Sequence, residues 1–121
     1  MKLLDSNILI YAPQPAFNYL RVLLVDEDVA VSEISILEVL GYHKLNLIEK
    51  KYFEVLFNTI KIIPIDREII LKATELRQQK RLSLGDAIHA ATSIIYNCEF
   101  YTRNISDFDS IAQLKIINPI Q

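Results

Sequence analysis

The fold is decided by the stretch Ser83-Leu84-Gly85-Asp86-Ala87-Ile88-His89-Ala90-Ala91-Thr92-Ser93. It predicts the first turns of a helix, because Ser83 is a good N-cap and the charge of Asp86 suits a helix N-terminus. Its three alanines favour helix and would let that helix lie close against a sheet. The stretch therefore places one carboxylate at the N-terminus of a tightly packed helix. There it either stabilises the helix terminus or belongs to a functional site.

The composition is that of one folded domain. The chain has 121 residues, of which 51% are hydrophobic, enough for a core. Its net charge of −2 excludes both a strongly basic surface of the kind that wraps nucleic acid and an acidic disordered chain. The only cysteine, Cys98, leaves no intrachain disulfide and favours a reducing compartment. With no signal peptide and no membrane-spanning run, we expect a single domain over residues 1–121 in the cytoplasm, away from membranes.

Short apolar segments alternate with amphipathic segments along the chain. Strands are predicted at residues 2–4, 29–31, 60–65, 99–102 and 115–117. Helices are predicted at residues 8–11, 16–25, 35–45, 46–59, 66–81 and 83–96, with a loop at 103–109 and one helical turn at 110–113. This alternation predicts an α/β fold, a three-layer domain with a mostly parallel sheet and helices on both faces.

Four acids fall where the carboxyl ends of the predicted strands would meet. Asp5 follows the first strand and Glu38 lies a few residues after the second. Asp86 opens the helix that leads into the fourth strand, and Asp107 lies in the loop after it. Each acid has a structural explanation alone; Glu38, for instance, completes a capping box with Ser35. Together, four carboxylates at one edge repel each other unless a cation lies among them, and such oxygen ligands suit magnesium or manganese.

The two histidines do not suggest zinc. With no cysteine pair, His43 and His89 leave too few nitrogen and sulfur ligands for a zinc site. His89 lies three residues after Asp86 and is within reach of the acidic edge. We expect it to be a packing or surface histidine.

Four motifs together resemble the PIN domain family, in particular the VapC-like toxins of bacterial toxin–antitoxin pairs. They are Asp5-Ser6-Asn7, Ser35-Ile36-Leu37-Glu38-Val39-Leu40, Gly85-Asp86-Ala87-Ile88-His89-Ala90-Ala91-Thr92 and Thr102-Arg103-Asn104-Ile105-Ser106-Asp107-Phe108. The resemblance covers nearly the whole chain. It implies a PIN-like sheet in the order 3-2-1-4-5 and a ribonuclease that uses one or two Mg²⁺ or Mn²⁺ ions and is restrained by a small antitoxin.

The resemblance also implies which residues act. The catalytic acids and metal ligands would be Asp5, Glu38, Asp86 and Asp107. The substrate-binding residues would be Thr102, Arg103 and Asn104. The metal would activate a water for in-line attack on the phosphodiester, so no protein nucleophile is needed.

This chain departs from the family pattern at three positions. Ser6 stands where threonine is usual, and His89 replaces an apolar residue. Some relatives have an acid at the position of Asn104, so either Asn104 or Asp107 completes the acidic set.

Further contacts with RNA phosphates would come from basic residues. Besides Arg103, the candidates are Lys44 and the run Arg77-Gln78-Gln79-Lys80-Arg81. Basic residues in a last helical turn also suit the helix dipole, and we expect that structural role for the run.

Two other functions compete with a nuclease. A phospho-acceptor receiver domain would use Asp66 after the third strand, but it needs an acid pair beside Asp5 and a lysine after the last strand, where Asn118-Pro119 stands. The other alternative keeps the fold without catalysis, as an RNA-binding or scaffold module. In either case, the apolar helix at residues 46–59 has more hydrophobic surface than one sheet needs, which predicts a homodimer.

Overall fold

The computed structural model describes residues 1–121 and contains one five-stranded sheet. The strands are β1 (Lys2–Leu4), β2 (Val29–Ser32), β3 (Lys61–Ile63), β4 (Glu99–Tyr101) and β5 (Lys115–Ile117). All neighbouring strands are parallel, in the order β3-β2-β1-β4-β5. The predicted α/β fold and its sheet order are confirmed.

Seven α-helices connect these strands. They are α1 (Ser6–Tyr11), α2 (Arg21–Leu24), α3 (Ile34–Leu40), α4 (Leu47–Thr59), α5 (Arg67–Gln79), α6 (Leu84–Ile95) and α7 (Ile105–Phe108). A 3₁₀ helix, Pro15–Leu20, runs directly into α2. None of the helices is long and apolar enough to cross a bilayer.

The sheet separates two hydrophobic cores. Successive side chains of a strand point to opposite faces, and in β1 both neighbours are fully buried: Leu3 in one core and Leu4 in the other. The first core contains residues of α5, α6 and α7, and the second contains residues of α1, α3 and α4. The result is a three-layer structure whose central strand is covered on both sides.

Helix α6 begins as its sequence predicts. The Ser83 hydroxyl accepts a hydrogen bond from the backbone N–H of Asp86 at 3.1 Å. Ala87, Ala90 and Ala91 are at most 1% exposed and pack in the first core. Because Ser83 already satisfies that N–H group, the carboxylate of Asp86 is not needed as the N-cap.

The predicted capping box of Ser35 and Glu38 is wrong. Helix α3 starts one residue before Ser35, which is buried inside the first turn with its hydroxyl 2.9 Å from that of Ser6. The helix also ends at Leu40 rather than near residue 45. The true capping box belongs to α4, where Asn46 and Glu49 exchange side-chain-to-backbone hydrogen bonds.

Smaller differences arise at the ends of elements. The helix predicted at 16–25 is a 3₁₀ helix followed directly by α2, and the 3₁₀ helix is kinked at Phe17, which has a non-helical φ of −118°. The loop predicted at 103–109 contains the short helix α7, and residues 110–113 form turns instead of a helix.

The receiver-domain alternative is wrong. A flavodoxin-like receiver has the strand order 2-1-3-4-5, whereas this sheet has the order 3-2-1-4-5. Its proposed acceptor, Asp66, instead caps α5 by accepting a hydrogen bond from the Ile69 N–H at 2.9 Å.

Burial predicts which apolar residues hold the fold. Leu4→Ala is expected to lower the free energy of unfolding by about 2–5 kcal/mol, because Leu4 is fully buried. The control Val25→Ala, at a residue 81% exposed, should change it by no more than about 0.5 kcal/mol. Urea unfolding followed by circular dichroism measures both, and equal losses would contradict this description of the core.

Candidate active site

Asp5 directly follows the carboxyl end of β1, the central strand, and its carboxylate is held by one hydroxyl group. Its backbone N–H donates to the Tyr101 carbonyl at 2.9 Å, which extends the pairing of β1 with β4. The hydroxyl of Thr102 donates to Asp5 Oδ2 at 2.7 Å, and Thr102 is fully buried. Asp5 occupies the N-cap position of α1 but makes no capping bond with its side chain. Its carboxylate is therefore fixed by Thr102 and free of a capping role.

Glu38 reaches the same edge of the sheet from α3. Its Oε1 accepts a 2.7 Å hydrogen bond from the Ser6 hydroxyl and lies 2.7 Å from His89 Nε2. A Cβ at position 85 would overlap Glu38 Oε2. Because Gly85 has no side chain, the Glu38 carboxylate can approach the first turn of α6 closely. Glu38 thus joins α3 to both α1 and α6.

His89 lies between two of the predicted acids. Besides its contact with Glu38, its Nε2 is 3.6 Å from Asp5 Oδ1. The ring is fully buried and stacks on Phe100 with 5.8 Å between ring centroids, while Nδ1 has no hydrogen-bond partner. Of the two expected placements of His89, in the packed interior or at the surface, the structure has the first, and the ring also contacts the acids that the sequence put within its reach. The spacing from Asp86 carried the signal, because residues three apart share a helix face.

Glu38 and His89 have the electrostatics of an ion pair. Burial opposes the charge of His89, but the hydrogen bond with Glu38 and the charges of Asp5, Glu38 and Asp86 raise its pKa overall. Burial would likewise raise the pKa of Glu38, but the hydrogen bonds from His89 and Ser6 and the charge of His89 lower it overall. Both directions favour a protonated histidine beside an ionised glutamate.

Asp86 shows that the acids crowd each other. Burial raises its pKa most, and the negative charges of Asp5 and Asp107 raise it further, against the Ser83 hydrogen bond and the charge of His89. Asp107 is exposed in the first turn of α7 and lines a cavity together with Asp86. The raised pKa of Asp86 is the direction expected for a half-buried acid beside other acids.

Arg103 and Asn104 flank the acids without contacting them. The Arg103 guanidinium donates to the Tyr11 hydroxyl at 2.5 Å, and its Cζ lies 4.9 Å from the centre of the Tyr11 ring. Asn104 is exposed at the N-cap of α7, and its side chain makes no capping bond. Its backbone N–H donates to the hydroxyl of buried Thr102 at 3.0 Å.

The donor set fits a hard divalent cation, although the side chains do not form a metal cluster as they stand. No three His, Cys, Asp or Glu side chains are grouped closely enough to hold one ion. Thr102 occupies one oxygen of Asp5, and Ser6 and His89 occupy one oxygen of Glu38. The remaining carboxylate oxygens are ligands that Mg²⁺ and Mn²⁺ prefer, and a cation would relieve the repulsion at Asp86.

Fold and site together define a class: doubly wound α/β domains with an acidic cluster at the carboxyl edge of the sheet. The family model of the PIN domain matches residues 2–114. The chain therefore belongs to the PIN domain family.

Solved structures agree with this assignment over nearly the whole chain. A toxin–antitoxin complex from Klebsiella pneumoniae contains a chain 30% identical to this one, with a TM-score of 0.80 and 98% of both chains covered. FitAcB from Neisseria gonorrhoeae is 26% identical, with a TM-score of 0.77 and the same coverage. VapBC2 from Rickettsia felis, bound to a DNA fragment from its promoter, is 23% identical over 97% of both chains and shares the fold with a TM-score of 0.79. No curated protein matches the sequence significantly.

The contact between Glu38 and His89 predicts a coupled titration in the metal-free protein. Glu38→Gln is expected to lower the pKa of His89, because it removes the charge and the carboxylate hydrogen bond that raise it. Titration of the imidazole signals by nuclear magnetic resonance measures this shift. The signals of exposed His43 serve as the internal reference in the same spectra.

The same pair predicts how stability depends on pH. The ordinary pKa values are 4.5 for Glu38 and 6.5 for His89. Between pH 4.5 and pH 6.5 the pair contributes its full stabilisation to the fold. That stabilisation is lost as the pH rises through the raised pKa of His89, or falls through the lowered pKa of Glu38. Glu38→Gln should therefore destabilise the metal-free protein near pH 6 and have a smaller effect at alkaline pH. An unchanged pKa of His89 would contradict the ion pair.

Proposed function

We propose that this chain is a metal-dependent endoribonuclease and the toxin of a toxin–antitoxin pair. The observation that carries the proposal is the convergence of Asp5, Glu38 and Asp86, with Asp107 beside them, at the carboxyl edge of the sheet. Each comes from a different part of the chain, and neither Asp5 nor Glu38 is engaged in capping a helix. Membership of the PIN domain family and similarity to a chain of a toxin–antitoxin complex from Klebsiella pneumoniae support the same function.

We propose that Asp5, Glu38, Asp86 and Asp107 hold one or two Mg²⁺ or Mn²⁺ ions. When bound, such an ion would lower the pKa of a water molecule and stabilise the charge that develops on the phosphate. Thr102 would position Asp5, and Ser6 and His89 would position Glu38, each by bonding one oxygen and leaving the other for the cation. Their role is to keep the ligands in place before the substrate arrives.

RNA would lie across this edge of the sheet. Thr102 is fully buried and bonded to Asp5, so we assign it to positioning that acid, although the sequence motif suggests substrate binding. Arg103 and Asn104 are exposed beside it and would contact the RNA backbone. Such contacts position the strand without reading its sequence. We propose that the enzyme acts on RNA in the cytoplasm.

The nuclease proposal predicts a loss of cleavage in protein that is still folded, although Glu38→Gln lowers its stability near pH 6. Glu38→Gln retains an oxygen that can accept from Ser6 and His89, but a neutral amide is a poor ligand for Mg²⁺. Cleavage of RNA in Mg²⁺ or Mn²⁺ should fall more than about 100-fold, because even residues that only orient a metal ligand contribute about 10–100-fold. Asp86→Asn should behave in the same way.

Asp109→Asn is the matched control. Asp109 is an exposed acid just after α7, close in sequence to Asp107, and its loss should leave cleavage unchanged. Chelation by EDTA should abolish the cleavage of the unsubstituted chain. Full Mg²⁺-dependent activity in both Glu38→Gln and Asp86→Asn would refute the proposed roles of these acids.

One observation favours the alternative of a catalytically silent RNA-binding or scaffold module. His89 already bridges Asp5 and Glu38, and a protonated imidazole there can balance their charges without a metal ion. In that case the protein would bind no Mn²⁺ and cleave no RNA. The turnover assay in the presence and absence of metal distinguishes this module from the nuclease.

We propose an antitoxin partner and a homodimer as the physiological assembly. The similar chain in the toxin–antitoxin complex from Klebsiella pneumoniae supports the antitoxin partner. Helix α4 supports the second, because it exposes apolar side chains that neither core uses. Leu47 and Ile48 are each 84% exposed and Val55 is 55% exposed. Contiguous apolar surface of this kind is typical of an interface.

Light scattering tests the dimer. The purified chain is expected to have twice its chain mass of 14.0 kDa, and Ile48→Asp should shift it to the monomer, because a charge would be buried in the interface. Lys44→Asp, an exposed substitution before α4, is the control and should remain dimeric. A mass of 14.0 kDa for the unsubstituted chain at high concentration would exclude the homodimer.

A further inference from the structure

A cavity beside the start of α6 brings the basic run at the end of α5 to the acidic site. Its volume is about 570 Å³. The basic residues Arg77, Lys80 and Arg81 line it together with Asp86 and Asp107. Three cations and two of the four predicted acids therefore share one cavity, which we call the basic cavity.

The three cations of the basic cavity have no carboxylate partner. None forms an ion pair within 4.0 Å, although Asp86 and Asp107 line the same cavity. Arg77 donates through Nε to the Leu82 carbonyl at 3.0 Å, which leaves its two terminal nitrogens free. Lys80 bonds the hydroxyl of Ser110, and Arg81 is exposed without a hydrogen bond. Their charges are thus available to an anion from outside the chain.

The helix dipole does not account for the whole run. Its effect is confined to the last turn, and α5 ends at Gln79. Arg77 lies inside that turn, so the structural role expected from the sequence applies to it. Arg81 lies two residues beyond the helix, in the turn that leads into α6, where the dipole gives no reason for a cation.

We propose that the basic cavity binds a backbone phosphate of RNA next to the bond held at the acids. The inference rests on the proposed ribonuclease function and names how its substrate is held. A strand approaching Asp5, Glu38 and Asp86 meets negative charge in a chain whose net charge is −2. Cations beside Asp86 offset that repulsion at the point where the strand enters the site.

The test compares two double variants. One removes two positive charges from the basic cavity, and the other removes two from a distant part of the surface. The variant Lys80→Gln/Arg81→Gln leaves Arg77 and its bond to Leu82 in place. The control Lys61→Gln/Lys115→Gln changes the net charge equally. Lys61 and Lys115 are exposed at the amino ends of β3 and β5, at the edge of the sheet opposite the acids. Thermal melting of all three proteins verifies that they are folded.

Binding is measured without catalysis. A fluorescein-labelled single-stranded RNA of about 12 nucleotides is titrated in EDTA, and fluorescence anisotropy gives the affinity at several salt concentrations. Each phosphate contact contributes about 0.7 to the slope of log K against log salt for a single strand. The slope of Lys80→Gln/Arg81→Gln should therefore be smaller by about 1.4, with weaker binding at low salt, while the control keeps the original slope.

Each outcome decides the inference separately from the nuclease proposal. Equal slopes in the two double variants, or no RNA binding by the unsubstituted chain, would overturn it even if RNA is cleaved in Mn²⁺. A reduced slope in Lys80→Gln/Arg81→Gln alone would support it. If the same chain cleaves no RNA in Mn²⁺, the basic cavity stands as an RNA site and the nuclease proposal fails.

Discussion

The acidic site depends on the contact between Glu38 and His89. It joins α3 to α6 through a fully buried ring whose other nitrogen has no partner, so Nε2 alone holds the imidazole in a polar contact. Burying a charged histidine without an anion would cost on the order of several kcal/mol, and the two acids around Nε2 offset part of that cost. The same contact gives Glu38 a defined orientation although about a third of its side chain is exposed. The same contact therefore serves both the packing of α3 against α6 and the arrangement of the acidic site.

Local patterns predicted what local interactions determine. The cap of α6 by Ser83 was predicted because it joins neighbouring residues. The parallel sheet was predicted from the alternation of apolar strands with amphipathic helices, a pattern that can be read within each short segment. Glu38 shows where this reasoning ends. A serine three residues before a glutamate also occurs inside a helix, and only the packing of α3 against α1 decides that Ser35 bonds Ser6 instead of starting the helix.

The role of His89 could not be predicted, because it arises from residues distant in the chain. Its partner Glu38 is 51 positions away, and its contact with Phe100 requires β4 to be in place. The helix α7 was missed for a related reason. It has four residues and no side-chain cap, so its formation follows from the burial of Phe108 against Phe100, at 4.9 Å between ring centroids. Tertiary contacts overrode weak local preferences in both cases.

The position of β1 at the centre of the sheet has a consequence for synthesis of the chain. Asp5 leaves the ribosome before the hydroxyl that fixes it, because that hydroxyl belongs to Thr102, 97 residues later. Strand β1 also pairs with β4, so the central strand has an open edge until β4 has been made. Contacts so far apart in sequence form late in folding. A nascent chain therefore carries Asp5 without its partner Thr102, and the acidic site cannot assemble until β4 and Thr102 have been synthesised.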